Sequence, residues 1–426
     1  MICAVSESAT SLHGAIDADA SDTRKVRLLV FTSLYPNVAQ PIRGLFIEER
    51  LRHLVESGRI EATVVAPVPW FPFRHRLFGR YAALAGVPVR EHRCGINVHH
   101  PRYPVIPKFG MRIAPLLMFH ALQAYFRRLQ ADGQGFDLID AHYFYPDGVT
   151  AVRLGEVMDK PVVISARGSD ITVLPRYRGP RRQIQWAAGR AAAAITVSRA
   201  LKDELLALGV SDDKITVLRN GADLDRFGLR DRDAIRARLG LSGPVWLTVG
   251  FLIELKGVHL AIEALTRDPR VTLLIVGKGP EKPRLHRLAE RLGVDARVRF
   301  IGAIPHAQLC DYYNAADALI QGSSREGMPN VVLESLACGT PVIAAPFASA
   351  WEVIAVPEAG LVAQSRTTDG IFAAWEALQQ RSPARDATRR YAATQLSWSA
   401  TIEQQLALYT KVVGDWRSGM RSGPNT

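Results

Sequence analysis

Short runs of β-branched and other apolar residues alternate with helical periodicity through both halves of the chain, and that alternation leaves few architectures open. Strands that return parallel to one another need a crossover long enough to hold a helix. Repeated strand–helix units therefore fold as parallel sheets covered by helices, in the doubly wound α/β manner. In the first half the predicted strands are 26–31, 62–66, 97–99, 138–141, 162–165, 194–197 and 215–218. In the second they are 245–249, 273–276, 298–301, 318–320 and 342–344. Phe46, Ile47, Leu51, Leu54 and Val55 share one face of a helix after the first strand. After Gly257 the stripe Val258, Ala261, Ile262 and Leu265 repeats at helical spacing. A length of 426 residues suits two domains. Arg and Asp crowd together near residues 228–243, between Gly-marked turns, and the break is expected there. The expected division is a tail at 1–24, domains at 25–228 and 229–397, and a last helix with a disordered tail at 398–426.

The formal charge of +12 implies an anionic partner, which could be nucleic acid, anionic lipid or a phosphorylated substrate. Cations are spread over both halves rather than gathered on one helix, and no nucleic-acid motif is present. Cys3, Cys94, Cys310 and Cys338 are scattered, with no CxxC, which predicts a reducing compartment and no structural zinc. Residues 1–24 lack a basic start and an apolar core, so a disordered tail is expected rather than a signal peptide or anchor. The longest apolar stretch, 113–126, is broken by His120 and Gln123 and is too short to span a bilayer. Two stretches mix arginine with bulky apolar groups: Trp70 to Tyr81, with Phe71, Phe73, Arg74, Arg76 and Arg80, and Arg176 to Trp186, with Arg181 and Arg182. Either suits an interfacial surface on anionic lipid, or a covered loop with a solvated rim.

Residues 323–341 read Ser-Ser-Arg-Glu-Gly-Met-Pro-Asn-Val-Val-Leu-Glu-Ser-Leu-Ala-Cys-Gly-Thr-Pro. Glu326 and Glu334 flank a turn into a helix. Gly327 permits close backbone approach, Pro329 suits the first helical turn, and Gly339 suits the end. A helix start offers free N–H groups and partial positive charge, which favour phosphate. The two carboxylates lie roughly 12 Å apart if the stretch is helical, about the span from a sugar across a diphosphate to a ribose.

Glu-x7-Glu followed by Ala-Cys-Gly-Thr-Pro-Val resembles the donor-site signature of the retaining glycosyltransferases of family 4, which have the GT-B fold: two Rossmann-like domains facing across a cleft. The likeness runs, with gaps, from about Val26 to the C-terminal helix. It implies an acceptor-binding first domain, a nucleotide-sugar-binding second domain and a terminal helix that crosses back onto the first. It implies a site in which Glu326 holds the sugar, Glu334 holds the ribose, and Gly327, Met328 and Pro329 lie at the donor. Lys256, after the strand 245–249 and Gly250, corresponds to a cation on the donor diphosphate, and Phe251 stands where the family has its second, an Arg. Gly277, Gly279 and Gly302 match glycines around the nucleotide base, and Arg43 and Gly44 match a loop set against the diphosphate. His142 corresponds to a histidine beside the transferred sugar. Arg167 and Asp170, in Arg-Gly-Ser-Asp, resemble a His-Gly-x-Asp motif. They give two even readings: Arg167 holds an acceptor, or it pairs with Asp170. Ser198 and the Asn220–Asp223 turn follow in family order, whereas Ala348-Ser349-Ala350-Trp351-Glu352 lacks the glycines and proline of the usual Gly-Gly-x-Pro-Glu.

The resemblance implies transfer of a hexose from a nucleoside diphosphate sugar to an acceptor hydroxyl, with His142, Lys256 and Glu326 as the catalytic set. No metal or other cofactor is expected. The order around Asp140-Ala141-His142 is similar to that of bacterial enzymes of cell-surface polysaccharide synthesis, the teichuronic-acid type among them. That implies a lipid-linked or glycan acceptor and a place in the cytoplasm, peripheral on the inner face of the plasma membrane. A nucleotide-sugar epimerase or phosphorylase on the same two-domain fold is the alternative. A nicotinamide-dependent oxidoreductase is disfavoured, because Thr32-Ser33-Leu34-Tyr35-Pro36 after the first strand has no Gly-x-Gly-x-x-Gly.

Overall fold

The computed structural model describes residues 24–70, 75, 80–106 and 110–419. Its first strand, β1 (Val26–Phe31), shows what the alternation builds. Leu29 and Phe31 face one helical layer, Leu28 and Val30 face the other, and all four are buried. A strand covered on both faces has no polar side to show, which is why it reads as an unbroken apolar run.

Nine further strands belong to the first half: β2 (Ile60–Val65), β3 (Val68–Trp70), β4 (Arg90–Arg93), β5 (Ile96–His99), β6 (Arg102–Pro104), β7 (Leu138–His142), β8 (Val162–Ala166), β9 (Ala193–Thr196) and β10 (Ile215–Val217). Eight of the ten form a sheet of order β10-β9-β8-β7-β1-β2-β5-β4, parallel except for the β4–β5 pair. β3 and β6 pair separately. The second half holds β11 (Val245–Val249), β12 (Thr272–Val276), β13 (Val298–Gly302), β14 (Ala318–Gln321), β15 (Val342–Ala344) and β16 (Gly360–Val362), in the order β13-β12-β11-β14-β15-β16, all parallel. Both orders reverse direction beside the first strand of the sheet, and crevices for ligands open at the carboxyl ends there. Predicted strands lie within one or two residues of the observed ones. Sequence reading misses β3, β4, β6 and β16, which are short and lie at edges or outside the main sheets. β4 is Arg-Glu-His-Arg, with no apolar residue to mark it.

The helix Trp398–Arg417 leaves the second domain and covers the first sheet. Its Trp398, Ile402, Leu406, Tyr409 and Val413 are buried against Leu28, Val30, Ile47 and Leu51. Arg417 pairs with Asp137 at 3.3 Å, and Arg59 pairs with Glu403. Where this chain crosses the first interdomain link, Ala222 N donates to Leu396 O at 2.6 Å, and a Cβ at Gly221 would fall 2.6 Å from Trp398 N. Only glycine fits that crossing, so Asn220-Gly221 does more than turn the chain.

No helix among the described residues is long and apolar enough to cross a membrane. Of the Trp70–Tyr81 stretch, residues 71–74 and 76–79 lie outside the described residues, as do the tails at 1–23 and 420–426.

Candidate functional site

In the second domain three strand-end turns lie backbone against backbone. A Cβ at Gly277 would fall 1.8 Å from Gly250 O, one at Gly279 2.3 Å from Leu252 O, and one at Gly257 2.0 Å from Gly322 O. Gly277 and Gly279, which the resemblance assigns to donor contact, are therefore required first by this packing, whereas Gly250, assigned likewise, has space for a Cβ but a φ of +149°. Gly302 ends β13 with φ +83° and open space around it, and its carbonyl accepts from Gly277 N at 2.8 Å. The stacked turns bring Lys256, at the end of the Glu254–Lys256 turn, to Glu326: Nζ lies 2.6 Å from Oε1. Glu326 Oε1 also accepts from Ser323 Oγ at 2.6 Å and Gln321 Nε2 at 2.9 Å. Among the described residues no donor meets Oε2. Gln321 and Ser323 were missed in the sequence; a glutamine ending an otherwise apolar buried strand was the available signal. Phe251, in place of the expected Arg, is 50% exposed.

The Asn330–Ala337 helix, capped by Pro329, carries Glu334 on its inner side. Glu334 is buried. His306 Nε2 lies 2.8 Å from Oε1, and Tyr313 donates its hydroxyl to Oε2 at 2.7 Å. His306 Nδ1 faces Glu49 Oε1 of the first domain at 3.6 Å and Arg226 Nη1 at 3.0 Å. Burial works against an imidazolium at His306, but Glu334 and Glu49 outweigh it and raise the pKa. Burial, with Glu334 nearby, pushes the Glu49 pKa up to about 7. Glu334 thus stands at a domain seam with both oxygens partnered, not in open cleft. A carboxylate has room for about four donors, so two hydroxyls could still be added.

The first domain presents a closed cluster. Arg167 donates to His142 Nδ1 from Nη2 at 2.5 Å and from Nε at 3.2 Å. A guanidinium only donates, so the ring proton is on Nε2, which faces Asp140 Oδ2 at 3.2 Å. Tyr409 of the terminal helix donates to the same Asp140 oxygen at 2.7 Å. Burial first, then the Arg167 charge, drives the His142 pKa down to about 4 against the pull of Asp140. The ring is neutral near pH 7, buried and saturated, and it offers a substrate no free nitrogen. A side-chain contact from His142 to a sugar would therefore need one of these bonds to open. Asp170 is similarly occupied. It is fully buried and accepts from the backbone N–H groups of Phe144, Arg167 and Gly168 at 2.8–3.4 Å, so it shapes the loop. Arg167 turns its guanidinium away from Asp170, toward His142 and Asn220.

The domains touch at this point. A Cβ at Gly327 would fall 2.1 Å from Arg167 O, so its missing side chain admits the other domain's backbone, where a ligand was expected. Met328 packs against the cores of both domains, and Asn220 Nδ2 donates to Asn330 Oδ1 at 2.8 Å. Glu352 accepts from Arg199 N and Ala200 N at 3.0 and 3.1 Å and pairs with Arg219 at 3.2 Å, clamping the second domain to a first-domain helix start. Gly44 is fixed at φ +78°, where a Cβ would fall 2.1 Å from Leu34 O; Arg43 beside it is exposed and bonds Gln40 Oε1 at 2.9 Å. Burial pushes the nearby Asp147 up to about 7, although Ser33 donates to it from N and Oγ at 2.7 and 2.9 Å. Among the described residues no three His, Cys, Asp or Glu side chains gather into a metal-holding group.

Two family models match this chain: Glycosyltransferase Family 4 over residues 44–226 and Glycosyl transferases group 1 over residues 231–395. TuaC of Bacillus subtilis, named as a teichuronic acid biosynthesis glycosyltransferase, is 33% identical over 333 residues, which is 75% of this chain and 80% of TuaC. Among solved structures, the sucrose-phosphate synthase of Thermosynechococcus elongatus superposes with a TM-score of 0.74 at 19% identity, covering 92% of this chain and 100% of that one. HepE of Anabaena, solved with UDP and glucose, gives 0.68 at 22% identity, covering 91% and 100%. The chain belongs to the family 4 glycosyltransferases of GT-B fold, and within them it is similar to those of the bacterial cell-surface polysaccharide type.

Proposed function

We propose that the chain transfers a hexose from a nucleoside diphosphate sugar to a hydroxyl of a lipid-linked or polysaccharide intermediate of cell-surface glycan synthesis. The anomeric configuration is retained and no metal takes part. The observation that carries this reading is the Lys256–Glu326 pair at the ends of β11 and β14, 2.6 Å apart and beside the start of the Asn330–Ala337 helix. The second domain holds the donor, and the acceptor enters from the first. Lys256 and the helix start take the negative charge that grows on the departing diphosphate. Glu326 Oε1 is fixed by three donors, and Oε2 accepts from a sugar hydroxyl, which holds the ring in place. Glu334 adds the ribose hydroxyls to its two present partners. HepE was solved with UDP and glucose and with UDP-glucose, and UDP is the first nucleotide to try here.

Thermal shifts with a panel of nucleoside diphosphate sugars identify the donor, because binding to the folded state raises the melting temperature. Product formed with that donor and a lipid-linked acceptor, in the presence of a chelator, is then read for anomeric configuration by NMR coupling constants. Loss of activity with EDTA that returns with Mn²⁺ or Mg²⁺ contradicts the metal-free reading. An inverted product contradicts retention. Full turnover of donor without acceptor points to an epimerase.

A further inference from the structure

The cations of this chain are widely spread, but their excess over acids is not. Residues 92–131 contain six Lys and Arg and no Asp or Glu, and residues 171–202 contain seven and none. The rest of the chain holds 40 basic and 41 acidic side chains, so the whole positive excess comes from these two segments.

The fold joins them on the first domain. Gln183 Nε2 donates to Arg112 O at 2.9 Å, and a Cβ at Gly179 would lie 3.3 Å from the Arg112 side chain. The start of the Arg178–Arg190 helix therefore lies against the Gly110–Arg112 turn. Arg178, Arg181 and Arg182 are exposed along that helix, with Arg112 and Arg176 exposed beside it. Among them stand Met111, Ile113, Leu116 and Tyr177, 40%, 42%, 42% and 53% exposed. The Tyr145 hydroxyl donates to Met111 O, which ties the patch to the Phe144–Gly148 segment following β7 on the cleft side.

We propose that this face docks the first domain on an anionic membrane. The arginines meet lipid phosphates, and Met111, Ile113, Leu116 and Tyr177 enter the interfacial layer. A soluble polyanion would satisfy the arginines but give the apolar side chains nowhere to leave water, which is why the bilayer is the partner chosen. The purpose of the contact, bringing the cleft to a lipid-linked acceptor, rests on the function proposed above; the contact itself does not.

Co-sedimentation of the full chain with vesicles tests it. Binding is expected to vesicles containing phosphatidylglycerol, not to phosphatidylcholine alone, and to weaken as salt shortens the screening length. Replacing Arg178, Arg181 and Arg182 together by Ser is expected to weaken it about a hundredfold, each cation near such a surface being worth a factor of roughly five. The same replacement at Arg284, Arg287 and Arg291, on the second domain, is expected to change little. Ile113→Ser with Leu116→Ser is expected to weaken vesicle binding while leaving heparin binding intact. Thermal melting checks that each variant is folded. Equal sedimentation of the first triple variant and the parent overturns the proposal, as does equal loss in the second-domain control. Unchanged vesicle binding by the two-serine variant also overturns it and assigns the arginines to a soluble polyanion such as nucleic acid. UDP binding, measured separately by calorimetry, keeps the two readings apart. Nucleotide binding without vesicle binding sinks the docking surface alone, and the reverse sinks the function alone.

Discussion

At matching places in the two sheets the chain gathers charge in opposite ways. Asp140, His142 and Arg167 stand at the ends of β7 and β8, and Lys256, Gln321, Ser323 and Glu326 at the ends of β11 and β14. The first group is buried and closed: each His142 nitrogen has a partner, the Arg167 charge is offset by Asp140, and the one bare atom, Asp140 Oδ1, is shut off from solvent. In the second, Gln321 and Ser323 are buried, but Lys256 and Glu326 are part-exposed and Glu326 has a carboxylate oxygen to spare. A motif match treats both as site residues. Solvent access separates them: Asp140 Oδ1 is bare but enclosed, whereas Glu326 is part-exposed and, among the described residues, has no donor on Oε2.

The largest effect should come from breaking the closed group. Arg167→Leu takes from Asp140 one of the buried cations that offset it, and removing a partner of a buried charge costs about 3–5 kcal/mol. Urea unfolding checks this; an unchanged midpoint would show that the guanidinium does not balance Asp140. On the open side, Lys256→Ala and Glu326→Ala are each expected to lower kcat by about a hundredfold while costing little stability, since the proposed function has each act in the transition state. Near-normal turnover in either folded variant removes that residue from the chemistry. Next is Glu334→Ala, expected to raise the nucleotide dissociation constant by roughly tenfold, the worth of a charge-assisted hydrogen bond. Unchanged affinity in calorimetry confines Glu334 to the seam with His306.

That seam should also respond to pH. The folded-state pKa values of Glu49 and His306 both lie above their ordinary values. Their contributions are therefore complete below the unfolded pKa of each group and fade as pH rises through the folded one. The melting temperature should fall as pH rises through about 7, and Glu49→Gln should flatten the decline. An equal slope in that variant places the titration elsewhere. The smallest change expected is a tightening of nucleotide binding by about threefold in Phe251→Arg, which puts a part-exposed cation where the proposed function has the diphosphate.

Most of the architecture was legible because parallel strands covered on both faces must be apolar runs, and β1, β11 and β15 are read to the residue. β4 and β16 were not, since an edge strand needs no such run. Around the candidate site, Glu326 was singled out by its place in residues 323–341 and Lys256 by the family resemblance, and the structure brings the two together. The meeting of Gly327 with Arg167, 160 positions away, was not legible, nor was the use of Glu352 as a clamp or of His306 and Tyr313 as partners of Glu334. Those depend on how one domain sits on the other, and local sequence carries no signal for that.

The contrast between open and closed groups is tested most directly by the turnover of Glu326→Gln beside that of His142→Asn, in which the Asn amide can still accept from Arg167. Glu326→Gln is expected to lose about a hundredfold in kcat, and His142→Asn to stay within about threefold of the parent. If His142→Asn, shown to be folded, falls as far as Glu326→Gln, the imidazole takes part in the reaction and the division between the two groups is wrong.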